Sequence, residues 1–303
     1  MNGKKANWLF LVAILSNFMI VVLAWSGVTF GPVLGLLSGQ FTFIPPVLLY
    51  LLIRDRSVGV RKELGFCRLR ISTALLSVLY TMLLMPLVTV VNAISMLWVD
   101  NTVAAMSGEL LGMSFAEVFL AVAVIAPLCE ETVFRGIFFN AYRNDGSTLG
   151  AALLSAFLFG VMHLNLNQMG YAIVIGTALA LLMVATGSIW APILGHMYVN
   201  AQSVCMMFVA EYLLPGSMQA SAESLDRDTL LMGIGIYAVV AVVTTSLAAC
   251  LLVWMAHREG RGEAVRQLCR KPENSGFRIT IPLAAALLIA AAFILWHTVM
   301  QLR

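Results

Sequence analysis

Hydrophobic positions along this chain run continuously rather than recurring at the 3.6-residue period of a surface helix. Apolar runs cover 7–26, 33–53, 71–98, 113–142, 149–166, 170–187, 188–210, 232–256 and 279–301, and short stretches holding most of the charge separate them. A helix of about 20 apolar residues crosses a bilayer core of about 30 Å. The runs lack the strict apolar–polar alternation of transmembrane strands. The pattern therefore predicts an all-α fold: a polytopic integral membrane bundle of eight or nine transmembrane spans, forming one domain over 1–303. Segments 149–166 and 170–187 are the short ones, and the second reads as a candidate partial or tilted span. The first span follows Lys4 and Lys5. Its apolar stretch, Trp8 to Trp25, is longer than a signal-peptide core, so it reads as a retained anchor.

Composition narrows the class further. Of 303 residues, 61% are hydrophobic and 11% charged, against about a quarter charged in an average soluble protein. Soluble and disordered chains are excluded. A net charge of +3 gives no reason to expect a nucleic-acid partner. Sixteen of the 18 Lys and Arg residues fall at the N-terminus, in loops 54–70 and 257–278, and at Arg135 and Arg143 near the end of the fourth run. With nine spans this bias places the N-terminus and these loops on the cytoplasmic side. The acidic loops 99–112 and 211–231, with Asp100, Glu109, Glu211, Glu223, Asp226 and Asp228, then lie outside. The basic loops read first as topology determinants and secondly as contacts for anionic lipid. Cys67, Cys129, Cys205, Cys250 and Cys269 follow no disulfide or metal-site spacing. Pro45-Pro46, Pro86, Pro127 and Pro192 predict kinks, and the last two each precede a polar cluster.

Those clusters are the chemical signal. An ionisable group inside a span costs about 2.5–3.5 kcal/mol even on the lenient insertion scale. The fourth run nevertheless contains Glu130-Glu131-Thr-Val-Phe-Arg135. Arg135 lies on the helix face of Glu131, four residues on, and can neutralise it. Glu130 points about 100° away with no cation on its own helix, which makes it the candidate general acid or base. The fifth run carries Phe159-Gly-Val-Met-His163 and the seventh carries His196-Met-Tyr-Val-Asn200. Each i,i+4 pair shares one helix face. The competing reading is structural: a buried ion-paired cluster and interhelical hydrogen bonds that only lock helices together. Glu117, His257 and His297, near span ends, are weaker candidates, and Asn165 and Asn167 fit a turn after the fifth run. Helix rise places Glu130, His163 and His196 at depths that allow one shared site.

Two chemistries fit a set of Glu, His, His and Asn. In one, Glu130, His163 and His196 hold zinc, although two His at i,i+4 around a Glu, the helical zinc-peptidase signature, are absent. In the other no cofactor is needed: Glu130 activates a water with help from His163, and His196 and Asn200 donate to the oxyanion. Zinc remains open but disfavoured. A Ser or Cys nucleophile has less support, because Cys129 faces away from Glu130.

Together, Glu130-Glu131-x-x-x-Arg135, Phe159-x-x-x-His163 and His196-x-x-x-Asn200 resemble the CPBP family of CAAX proteases and bacteriocin-processing enzymes, also called Abi, which includes the Ras-converting endopeptidases. The resemblance covers about 113–205, the motif-bearing core, and extends to Glu-Glu-Thr-Val-Phe-Arg-Gly and to Gly-Ser-Ile-Trp-Ala-Pro-Ile-Leu-Gly-His before Asn200. It implies an intramembrane endopeptidase with a cavity facing the cytosol. In that reading Glu130 and His163 activate water, His196 and Asn200 hold the oxyanion, and Glu131, Arg135 and Phe159 support the site. The partners implied are the lipid bilayer and a peptide or protein substrate: a peptide precursor, a transmembrane segment or a lipidated CAAX-type tail. The style of the sequence suggests a bacterial cytoplasmic membrane. The rival class is a non-enzymatic scaffold or bacteriocin-immunity protein, which an intact polar set disfavours. A transporter is disfavoured by the lack of internal repeats and paired broken helices.

Overall fold

The computed structural model describes residues 1–28, 30–215, 226–270 and 279–301. Glu223, Lys271 and Arg278, invoked above for topology, lie outside the described residues. Among the described residues all regular structure is helical. Among the described residues seven helices are long and apolar enough to cross a membrane: Gly3–Trp25, Pro32–Ile53, Ile71–Ser95, Leu166–Thr186, Trp190–Leu213, Arg227–Arg258 and Ile281–Gln301. Pro32–Ile53 is broken into Pro32–Phe41 and Ile44–Ile53. Prolines open the second half, in the first turn, where a missing N–H leaves no helical bond unmade. Large apolar side chains such as Val239, Leu288 and Leu295 are exposed on the outside of the bundle, as a lipid-facing surface requires.

The fourth predicted span is a continuous but irregular rod over 115–145. Phe115–Val118 leads into a π-helical segment, Phe119–Ile125, then Ala126–Glu131, a second π segment, Thr132–Phe139, and Asn140–Asp145. Each π turn accommodates an extra residue and shifts the register of the side chains beyond it; such turns recur at functional sites. The two short runs come out in the opposite order to that expected. Thr148–Met162 is the short helix, with 15 residues, and Leu166–Thr186 is full-length, with 21. The loop expected at 99–112 contains a further helix, Thr102–Leu111, capped by Asn101. Both departures come from side-chain capping. Asn165 accepts from the Gln168 N–H and starts the long helix early.

Packing on both sides holds the rod in the middle. Phe134, Phe138, Phe139 and Tyr142 are buried from it, and Phe138 meets Phe10 of the first helix edge-on at 5.9 Å. Tyr142 Oη donates to Asn7 Oδ1 at 2.8 Å. One end of the bundle gathers the basic segments. The Gly3 N–H donates to Asp145, Asn140 Nδ2 to the Glu63 carbonyl, the Ile189 N–H to Gly65 and the Leu149 N–H to Leu268. At the opposite end, buried Asn167 donates to Asn92 Oδ1 and Ser95 Oγ and accepts from the Thr102 N–H. Asn165 and Asn167 are thus end clamps between helices.

Candidate active site

Glu131 and Arg135 are fully buried, and Arg135 Nη1 donates to Glu131 Oε1 at 2.8 Å, one helical turn apart. Arg135 therefore does not belong with the basic ends of the spans, where the charge pattern put it; it is an interior cation. Its Nη2 donates to the Gly176 carbonyl at 2.7 Å. A Cβ on Gly176 would stand 3.0 Å from that nitrogen and 3.1 Å from Ala156, so only glycine leaves room for the bond.

Glu131 Oε1 also accepts from His196 Nδ1 at 2.8 Å. A carboxylate paired with arginine only accepts hydrogen bonds, so the Nδ1 proton is fixed on His196 and Nε2 faces outward. His196 Nε2 lies 3.7 Å from Glu130 Oε2. The two carboxylates thus face the same imidazole from two sides. Glu130 keeps 16% of its side chain exposed, against none for Glu131, so it is the carboxylate that water and substrate can reach. Gln40 Nε2 donates to Glu130 Oε1 at 3.4 Å.

Phe159 joins the histidines. Its buried ring meets His163 at 4.9 Å and His196 at 5.6 Å, both edge-on, and the Arg135 guanidinium lies 4.9 Å from its centroid. His163 Nδ1 is 2.9 Å from the Phe159 carbonyl. That oxygen only accepts, so Nδ1 is the donor and Nε2 carries the lone pair when the ring is neutral. His163 ends its helix, and the next residue, Leu164, has φ of 55°. Among the described non-glycine residues it alone has a positive φ, a conformation costing about 1–2 kcal/mol. The strained turn, with Asn165 Nδ2 donating to the His163 carbonyl at 2.9 Å, fixes where the imidazole stands.

Asn200, one turn after His196, donates to the Val122 carbonyl at 2.9 Å. That places one amide proton on the rod and leaves the other without a partner among the described residues. The structure therefore assembles Glu130, Glu131, Arg135, Phe159 and His196 in direct contact, with His163 against Phe159 and Asn200 tied to the adjoining π segment. His163 makes no hydrogen bond or ion pair with Glu130. Among the described residues, no three His, Cys, Asp or Glu side chains group closely enough to hold a metal ion. Both imidazoles pack edge-on against the Phe159 ring, and His196 Nδ1 is committed to Glu131. Glu117 closes a capping box with Ser114. Among the described residues neither His257 nor His297 bonds to the cluster.

Gln40, Leu164 and Val122 were missed by sequence reasoning. A glutamine in the run 33–53 was a visible signal. A main-chain carbonyl and a positive φ leave no such mark.

These features define a class: a polytopic helical membrane protein with a paired glutamate–histidine centre buried among its spans. Residues 112–202 match the family model described as Type II CAAX prenyl endopeptidase Rce1-like. The chain is also similar to the Bacillus subtilis (strain 168) protein named "Putative membrane peptidase YdiL", 32% identical over 99 residues, which are 32% of this chain and 41% of that relative. The chain thus spans less than half of that relative's length. No solved structure matches it. Both similarities fall on the motif-bearing segment and point to the CPBP/CAAX-type family.

Proposed function

We propose that the protein is an intramembrane endopeptidase that hydrolyses a peptide bond of a membrane-associated peptide or protein through a water activated by Glu130. The observation that carries this reading is the asymmetry of the glutamate pair. Glu131 is sealed, charge-paired and committed to orienting His196, whereas Glu130 is partly exposed and held by weak contacts. One carboxylate builds the site and the other is free to react, a division of roles expected of acid–base pairs.

The steps follow from the donors and acceptors. Glu130 takes a proton from water as the water oxygen bonds to the scissile carbonyl carbon. His196, oriented by Glu131, turns Nε2 toward the developing oxyanion and donates to it when that nitrogen carries a proton, and the second amide proton of Asn200 supplies another donor. Collapse of the tetrahedral intermediate breaks the C–N bond. The proton held by Glu130 then reaches the leaving amine, with His163 Nε2 as an accessory acceptor and donor. Substrates fitting this reading are a peptide precursor or a CAAX-type tail, lipidated or not, cut near the cytoplasmic face. The concentration of basic residues at one end of the bundle supports an N-terminus on that face. The similarity to a Bacillus subtilis protein supports a bacterial cytoplasmic membrane.

A survey of peptide termini in membranes tests the proposal. Cells carrying wild-type protein are compared with cells carrying Glu130→Gln at equal abundance. New termini that depend on Glu130 support endopeptidase action and name the substrate. Identical termini, with both proteins folded, overturn it.

A further inference from the structure

The basic end of the bundle holds a second polar feature, well separated from the glutamates. A cavity of about 290 Å³ lies where Asn140–Asp145, the start of Thr148–Met162, the end of Leu166–Thr186 and the short helix Gly262–Arg266 meet. Arg143, Arg261 and Arg270 line it, with Thr148 and Gln267 as neutral polar neighbours and no carboxylate. Arg143 is half-buried, and its guanidinium lies 5.3 Å from the Phe139 centroid. Arg261 Nε donates to the Val184 carbonyl at 2.7 Å. That guanidinium passes over Gly187, where φ is +70° and a Cβ would meet Nη1 at 2.8 Å. The glycine therefore leaves the space the arginine occupies.

Among the described residues none of the three arginines forms an ion pair with Asp or Glu, whereas Arg54 and Arg135 each do. Each guanidinium carries five N–H donors, and the Arg261–Val184 bond is the one such donation from the three to described protein atoms. Gathering like charges in a partly desolvated cavity is unfavourable unless an anion joins them. A phosphate group suits this lining, because its oxygens pair with guanidinium forks two at a time. The location suits it too, since basic pockets between helices at the membrane boundary take lipid headgroups.

We propose that this cavity is a binding site for a phosphate group, presented by the headgroup of an anionic phospholipid or as free phosphate. Arg143 stands 13 residues beyond Glu130 on the same rod, about 20 Å at the helical rise. The site is thus independent of the chemistry proposed above.

The full chain, purified in mild detergent, is titrated with phosphatidylglycerol, phosphatidylcholine and inorganic phosphate, and bound molecules are counted by native mass spectrometry. Wild type is expected to prefer phosphatidylglycerol over phosphatidylcholine by about tenfold, an effect the size of a charge-assisted hydrogen bond. Arg143→Gln should remove most of the preference. Arg270→Gln and Gln267→Glu, at exposed positions, should weaken it without affecting folding. Variant-sensitive binding of inorganic phosphate, with no lipid preference, would assign the site to free phosphate. Binding of phosphatidylglycerol and of inorganic phosphate that Arg270→Gln and Gln267→Glu leave unchanged, or no binding of either, overturns the proposal.

Discussion

Asn200 supplies the N–H that Pro127 lacks. In the π segment Phe119–Ile125 each donor reaches back five residues, and the Ala126 N–H accordingly bonds the Ala121 carbonyl. The next carbonyl, Val122, would take its bond from residue 127, which is proline. Asn200 Nδ2 donates to it instead, at 2.9 Å. The seventh span is thereby joined to the rod one turn from His196.

This relationship predicts a coupling between two substitutions. Asn200→Ala strands a carbonyl inside the bundle and should lower stability by about 1–3 kcal/mol. In a Pro127→Ala background the restored N–H can serve Val122, so the same Asn200→Ala change should cost less. A double-mutant cycle on thermal unfolding in detergent measures the difference. Additive costs would dissociate Asn200 from the proline. Loss of the second amide proton should separately slow turnover by about 10²–10³ if it serves the oxyanion.

The Glu131–Arg135 pair predicts a folding phenotype. Arg135→Ala leaves Glu131 buried and unpaired, a change costing about 3–5 kcal/mol. It also frees the Gly176 carbonyl. Low membrane yield and a strongly lowered Tm are the expected outcomes. Gly176→Ala should act in the same direction more mildly, because its Cβ must displace the guanidinium. A Gly176→Ala protein with unchanged Tm would show that the close approach is unimportant.

Glu130 predicts the opposite combination. Its side chain is partly exposed and its bonds are long, so Glu130→Gln should fold with a Tm near wild type. Turnover should fall by about 10²–10⁴, the range for loss of a general base. The pair of measurements separates it from Arg135, where stability and activity fall together.

At Leu164 the usual order of substitutions should invert. Leu164→Ala loses buried apolar contact and keeps the strain of φ 55°. Leu164→Gly loses the same contact but relieves strain of about 1–2 kcal/mol. Glycine should therefore be the better tolerated of the two in thermal unfolding. The same variant loosens the turn that fixes His163 and should reduce activity more than stability.

By itself the sequence determined the class of fold and most of the polar cluster. Long apolar runs have one low-energy arrangement in lipid, because backbone N–H and C=O groups there must be satisfied within the segment. The helices are consequently readable from composition. The i,i+4 pairs were readable for the same reason, since helical geometry alone puts Arg135 beside Glu131 and His163 beside the Phe159 carbonyl. The tertiary structure decided which helices face one another. No local pattern states that His196 of the seventh span bonds Glu131 and faces Glu130, that Phe159 contacts both imidazoles, or that Gln40 arrives from the second span. Those contacts depend on the π turns, which rotate the register of the rod in a way that a regular helix projection misses. They depend equally on packing between segments far apart in the chain. Arg135 shows the physical limit of reading charge along a sequence. The same residue type marks a membrane boundary at Arg143 and an interior ion pair eight residues earlier, and only the neighbours that surround it in three dimensions distinguish the two.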